Sequence, residues 1–171
     1  MKRRLAAASR LTDIQDGFTM VELMVIVLII GILAAIAIPT YLGVSASAQN
    51  KQAEATLRNA FSAEKIYFFQ HNGYSSINAT QLAKIEPSLS YVDAIAPSKV
   101  NEVDVWYATG GVPHGTYAPE CITTYSQTGN YYSIYDNGGT SMAPIQYLKS
   151  TQMPTTCGGS GWSTTTTAAG W

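Results

Sequence analysis

The sequence predicts an α+β protein in which a long N-terminal helix lays its second half on a small antiparallel β-sheet. Three observations carry that prediction. An apolar run from Phe18 to Ile38 is far too long for a strand. A striped segment then continues to His71 with apolar residues spaced mostly three or four apart. Three short segments rich in β-branched and aromatic residues follow, separated by turn residues.

The apolar run is 21 residues from Phe18 to Ile38. At 1.5 Å per residue, a helix of that length spans roughly 30 Å, the thickness of a bilayer core. Leu23 to Asn50 holds no charged residue, and a chain of 171 residues cannot easily bury such a rod on all sides. A membrane span is therefore expected in preference to a core helix. Lys2, Arg3, Arg4 and Arg10 precede it, and the first charges beyond it are Lys51 and Glu54. That asymmetry places the N-terminus in the cytoplasm and the rest of the chain outside. One acid, Glu22, interrupts the run. A carboxylate in lipid is costly, so a compensating positive charge is expected.

The second half of the helix begins at Pro39, which lacks an N–H and predicts a kink near residues 35–39. Gly43, Ser45, Ala46, Ser47 and Ala48 then permit close approach of neighbouring helices. Ala53, Leu57, Ala60, Phe61, Tyr67 and Phe68 form one apolar face, with Lys51, Glu54, Arg58 and Lys65 expected to turn outward. Asn72-Gly73 is a stop signal. A helix from about Phe18 to His71 is roughly 80 Å long.

Residues 73–100 read as a connection containing one short helix, "NATQLAKI", capped by Asn78 or Thr80. Strands are expected at 102–109, 121–126 and 131–136, the last two joined by "QTGN" with Gly129 in the turn. "DNGG" at 136–139 is the next turn. A sheet laid on the helical stripe completes the α+β arrangement.

Composition narrows the function. Only 12% of residues are charged, and after Gly17 six basic residues face nine acidic ones. No basic tract exists for direct nucleic-acid binding. The eleven tyrosines therefore suit sheet packing and subunit contacts. His71 and His114 are the only histidines and lie in no catalytic constellation. "GGVPHG" lacks the lysine of a phosphate loop. Asp93, Glu102, Asp104 and Asp136 show no compact oxygen-ligand pattern, so neither calcium, another metal nor a cofactor is assigned. A structural role is expected, and no enzyme.

The N-terminus is not an ordinary secretory signal, because polar "SRLTDIQDG" separates the basic start from the apolar run. An uncleaved anchor matches the hydropathy but leaves the abrupt "DG" before "FTMVEL" without a reason. Taken alone, Gly17 after Asp16 is a turn signal.

The stretch "GFTMVELMVIVLIIGILAAIAIP", Gly17 to Pro39, resembles the type IV prepilins, a family that includes the pseudopilins of type II secretion. The likeness covers roughly the first third of the chain, with Met20 where leucine is common. It implies cleavage after Gly17 by a prepilin peptidase and N-methylation of Phe18. It implies a mature helix in which Glu22, now the fifth residue, neutralises the terminal amine of an adjacent subunit. The organisation that follows is a leader at 1–17, a transmembrane and polymerisation segment at 18–39, an amphipathic half-helix at 40–72 and a pilin-like head at 73–171. The partners implied are further copies in a helical filament, an assembly platform with its ATPase, and the cytoplasmic membrane before export to a surface pilus. For an exported domain, Cys121 and Cys157 are expected to form a disulfide, as near the C-terminus of many pilins; two buried free thiols are the other reading. The leading expectation is a pilus subunit. The alternatives are a secretion pseudopilin, a minor pilin for adhesion or DNA uptake, and a signal-anchored domain that never polymerises.

Overall fold

The computed structural model describes residues 17–74, 77–93, 97, 99–107, 120–136 and 145–164. The chain divides into two compact units, Met1–Tyr41 and Leu42–Trp171. One helix, α1 (Met20–His71), begins in the first and ends in the second.

In the first unit α1 is apolar all round and unburied. Met20, Leu28, Leu33 and Ile36 are each more than half exposed, and so are most of their neighbours. A helix of this kind is at home in lipid or among other helices, not in water. The helix continues through Pro39, which supplies no N–H for the carbonyl four residues back. One residue on, the Thr40 hydroxyl donates to the Ile36 carbonyl at 3.0 Å.

In the second unit the same helix becomes amphipathic. Ala53, Leu57, Ala60, Ala63 and Tyr67 are buried, with Phe61 and Phe68 packed against them. Glu54 departs from expectation: it is buried, and Lys51 reaches it at 2.8 Å. The lysine stem lies along the surface and keeps its ammonium wet while covering the acid. The helix ends as predicted. Asn72 adopts φ 53° and the Gly73 N–H donates to the Phe68 carbonyl at 3.1 Å, the Schellman pattern of a helix stop.

Asn78 is extended, and its side chain accepts from the Gln81 N–H at 3.0 Å, capping α2 (Ala79–Ile85). Five strands follow: β1 (Ser90–Val92), β2 (Glu102–Tyr107), β3 (Glu120–Tyr125), β4 (Tyr131–Asp136) and β5 (Gln146–Ser150). They form one sheet in the order β1-β2-β3-β4-β5. The three expected strands are β2, β3 and β4. The sheet is mixed rather than wholly antiparallel, because β1 pairs parallel to β2. Residues 93–101 separate β1 from β2 in sequence, so the pair is not closed by a two-residue hairpin, which would make it antiparallel. β3 and β4 are joined by a tight turn with Gly129 at φ 89°. Thr109, His114 and the turn at 137–139 lie outside the described residues.

Register explains the core. Val105 pairs with Ile122 and Ile122 with Ile134, so one face presents Val103, Val105, Ile122, Tyr132 and Ile134 to the helical stripe. Two polar contacts bracket that apolar contact. At one end Asn50 Oδ1 accepts from Ser126 Oγ at 2.9 Å, from Thr128 Oγ1 and from Asn130 Nδ2 at 3.4 Å. At the other, Lys65 Nζ pairs with Asp136 Oδ2. Asn50 thus fastens the β3–β4 turn to α1. Asn50→Ala removes the acceptor shared by buried Ser126, exposed Thr128 and half-buried Asn130, and is expected to destabilise the second unit by about 1 kcal/mol. Denaturant unfolding of the full chain in detergent, followed by near-UV ellipticity, measures this; an unchanged midpoint would contradict the fastening role.

Candidate processing and assembly segment

The first unit carries the residues singled out for processing. Gly17, Phe18 and Thr19 precede the helix without regular structure, and Gly17 and Phe18 are exposed. Among the described residues, a Cβ placed on Gly17 meets nothing within 4 Å. The turn reading of Asp16-Gly17 rests on Asp16, which lies outside the described residues.

Glu22 sits in the first turn of α1. Its Oε2 accepts from the Thr19 N–H at 2.9 Å and from Thr19 Oγ1 at 2.8 Å. The Glu22 N–H in turn donates to Thr19 Oγ1 at 3.2 Å. This is a reciprocal capping box: the threonine closes the helix N-terminus while the glutamate reaches back to the N–H of the cap residue. The positive end of the helix dipole favours the carboxylate in the same place. Glu22 therefore has a local role besides any intermolecular one. Thr19 was not among the residues singled out, and the Thr-x-x-Glu spacing ahead of an apolar run is the signal that identifies it.

The two cysteines belong to the second unit and are bonded to each other, with Cα atoms 5.8 Å apart. Cys121 is fully buried on β3, directly opposite Tyr135 on β4. Cys157 lies in the segment after β5, and further contacts hold that segment down. Tyr147 and Ser163 form an antiparallel bridge, and the Gly159 N–H donates to Gln146 Oε1 at 2.8 Å. Gly158, at φ 75°, leaves no room for a side chain: an added Cβ falls 2.7 Å from the Tyr135 ring. Glycine is needed there for both conformation and space.

Among the described residues, the titratable groups singled out from the sequence are spread over separate elements. His71 stacks on Tyr67 at the end of α1, with Nδ1 at 3.0 Å from the Tyr67 carbonyl. Asp104 lies on β2 one row from Glu102, while Asp136 lies at the far end of β4. Among the described residues no three His, Cys, Asp or Glu side chains are placed to hold a metal ion. Sequence spacing had not marked Glu64, which is buried between the helix and the sheet. It occupies a slot of the 53-57-60-64-67 spacing that otherwise holds apolar residues, and this spacing is the signal that finds it.

Fold and segment define a class: an unburied apolar helix with an acid in its first turn, followed by an α+β head stapled by one disulfide. Comparison with known proteins finds a matching motif and several partial relatives. Residues 14–38 match the prokaryotic N-terminal methylation motif. The type IV major pilin protein PilA of Myxococcus xanthus is 42% identical over 67 residues, 39% of this chain and 30% of that protein. A type IV major pilin protein PilE1 of Neisseria gonorrhoeae is 35% identical over 78 residues, 46% of this chain and 47% of that one. The fimbrial protein EcpC of Eikenella corrodens is 32% identical over 99 residues, 58% of this chain and 65% of that one. The chain thus spans less than two thirds of the length of these relatives. No solved structure matches. Each of these relatives is named a pilin or fimbrial protein, and the matched motif lies at the same end of this chain as its apolar helix.

Proposed function

We propose that this chain is the structural subunit of a type IV pilus, processed after Gly17, N-methylated at Phe18 and polymerised through the apolar half of α1. One observation supports this reading above the others. The helix from Met20 onward is exposed and apolar on every side, yet carries a carboxylate in its first turn, within the matched methylation motif. Such a surface requires lipid first and other helices later.

The chemistry follows from the cut. Hydrolysis of the Gly17–Phe18 bond turns an amide nitrogen into an amine, which is protonated and remains so once methylated. That cation lies one turn from Glu22. In a filament, Glu22 of one copy pairs with the Phe18 amine of the next, and two charges that are separately costly in a low-dielectric core compensate each other. Repetition of one heterologous contact builds an open helix rather than a closed ring. In this reading residues 1–17 are the leader, 18–39 anchor and polymerise, 40–72 carry the head, and 73–171 supply its connecting loop, sheet and disulfide-bounded C-terminal region. The subunit waits in the cytoplasmic membrane with its N-terminus inside. A prepilin peptidase cuts it, and a platform with its ATPase extrudes it into a surface filament. The pilin and fimbrial names of the relatives favour a pilus over a secretion pseudopilus.

Electron microscopy of cells producing the chain, with antibodies against the head, tests the proposal. Label along surface filaments is the expected result. Label confined to the cell membrane would count against it.

A further inference from the structure

We propose that the buried carboxyl groups of Glu64 and Glu120 form a proton-binding site inside the head, beside the Lys65-paired Asp136, and that their deprotonation loosens α1 from the sheet. Glu120 and Asp136 face each other across β3 and β4, one row beyond Ile122 and Ile134. The strand period puts both on the helix-facing side, where Glu64 enters from the buried stripe of α1. Glu64 is 1% exposed, Glu120 0% and Asp136 5%.

The three acids are not equally provided for. Asp136 Oδ2 accepts from Lys65 Nζ and from the Tyr74 hydroxyl, the environment of an ionised group. Neither oxygen of Glu120 has a hydrogen-bond partner, and Oε1 of Glu64 has none. A buried carboxylate without donors is far costlier than a neutral carboxyl, which needs fewer and supplies one itself.

The groups around the pair do not reverse this. Lys65 and a hydrogen bond from the Tyr74 hydroxyl favour the charged form of Glu64, but both are also engaged by Asp136. Tyr67 and Tyr74 also face the acids, and from the β1 side so do Tyr91 and Asp93. Burial first of all holds the three tyrosines above their ordinary range, hence neutral. Asp93 adds a further negative charge. Burial first, then the charge of Asp136, pushes the Glu64 carboxyl well above the usual carboxylate range. Burial, then Glu64 and Asp136, does the same to Glu120. Raised folded-state values mean that the folded head holds more protons than the unfolded chain. Its stability is therefore full below the ordinary glutamate range and declines as pH rises through the folded values.

The test uses the full chain in detergent, with near-UV ellipticity reporting the head. Between pH 5 and pH 9 the melting temperature of the unaltered chain is expected to fall by about 5 °C or more. In Glu64→Gln/Glu120→Gln, which keeps shape and removes both titrations, most of that slope should vanish. At pH 7 the infrared carbonyl band of a protonated carboxylic acid should be present and should weaken in each single variant, which decides the matter even if the double variant does not fold. A melting temperature flat or rising with pH would overturn the proposal, as would a missing infrared band. So would calcium chloride stabilising the unaltered chain but not the double variant, because the acids would then hold a cation instead.

Discussion

Glu22→Gln is expected to insert in the membrane normally, to be processed normally and yet to yield few filaments. The substitution is chosen because Glu22 does two things. Within its own chain it closes the capping box with Thr19. Between chains, in the proposed filament, it neutralises the Phe18 amine. Glutamine serves in a capping box as glutamate does, so the helix start survives. The charge does not, and each assembled copy then holds an amine in an apolar core with no counter-ion. An uncompensated buried charge of that kind shifts the assembly equilibrium on the order of 10²-fold. Glu22→Ala loses both roles and should assemble no better. Sheared filament protein per cell, quantified against membrane-held subunit, is the measurement. Normal filament yield from Glu22→Gln would show that the capping role is the whole role.

Reduction of the disulfide, or Cys121→Ser/Cys157→Ser, is expected to destabilise the head by about 3–4 kcal/mol, the chain-entropy value for a loop of this size. The bridge spans 36 positions and ties the segment after β5 to the centre of the sheet. The other ties of that segment are the Tyr147–Ser163 bridge and the Gly159 hydrogen bond, which are fewer and nearer the surface. The loss should therefore be uneven. Hydrogen exchange should quicken first around residues 151–164 and only later in β3 and β4. Equal melting temperatures with and without reductant would contradict a stabilising role.

Much of this was legible in the sequence, for reasons that differ along the chain. The helix, its Asn72-Gly73 stop, the Asn78 cap and strands β2 to β4 are set by local pattern, and the chain shows them directly. β1 is three residues long and exists because β2 pairs with it, so no local signal marks it. β5 alternates weakly, and its place follows from the β4 edge. The acids were the larger difficulty. Binary patterning turns every charge outward, but Glu54 is covered by Lys51 and Glu64 by the sheet. Burial of an acid depends on partners distant in sequence, such as Asp136 across the core, and spacing alone does not reveal them. The processing segment was the converse case. Its residues stand in a contiguous motif, which local reading finds directly.

Mass spectrometry of the sheared filament fraction tests the central claim most directly. The proposed processing predicts this chain beginning at Phe18 with one methyl group on its terminal nitrogen, and no trace of residues 1–17. A filament fraction containing the chain intact from Met1, or a processed chain found only in the membrane, would contradict it.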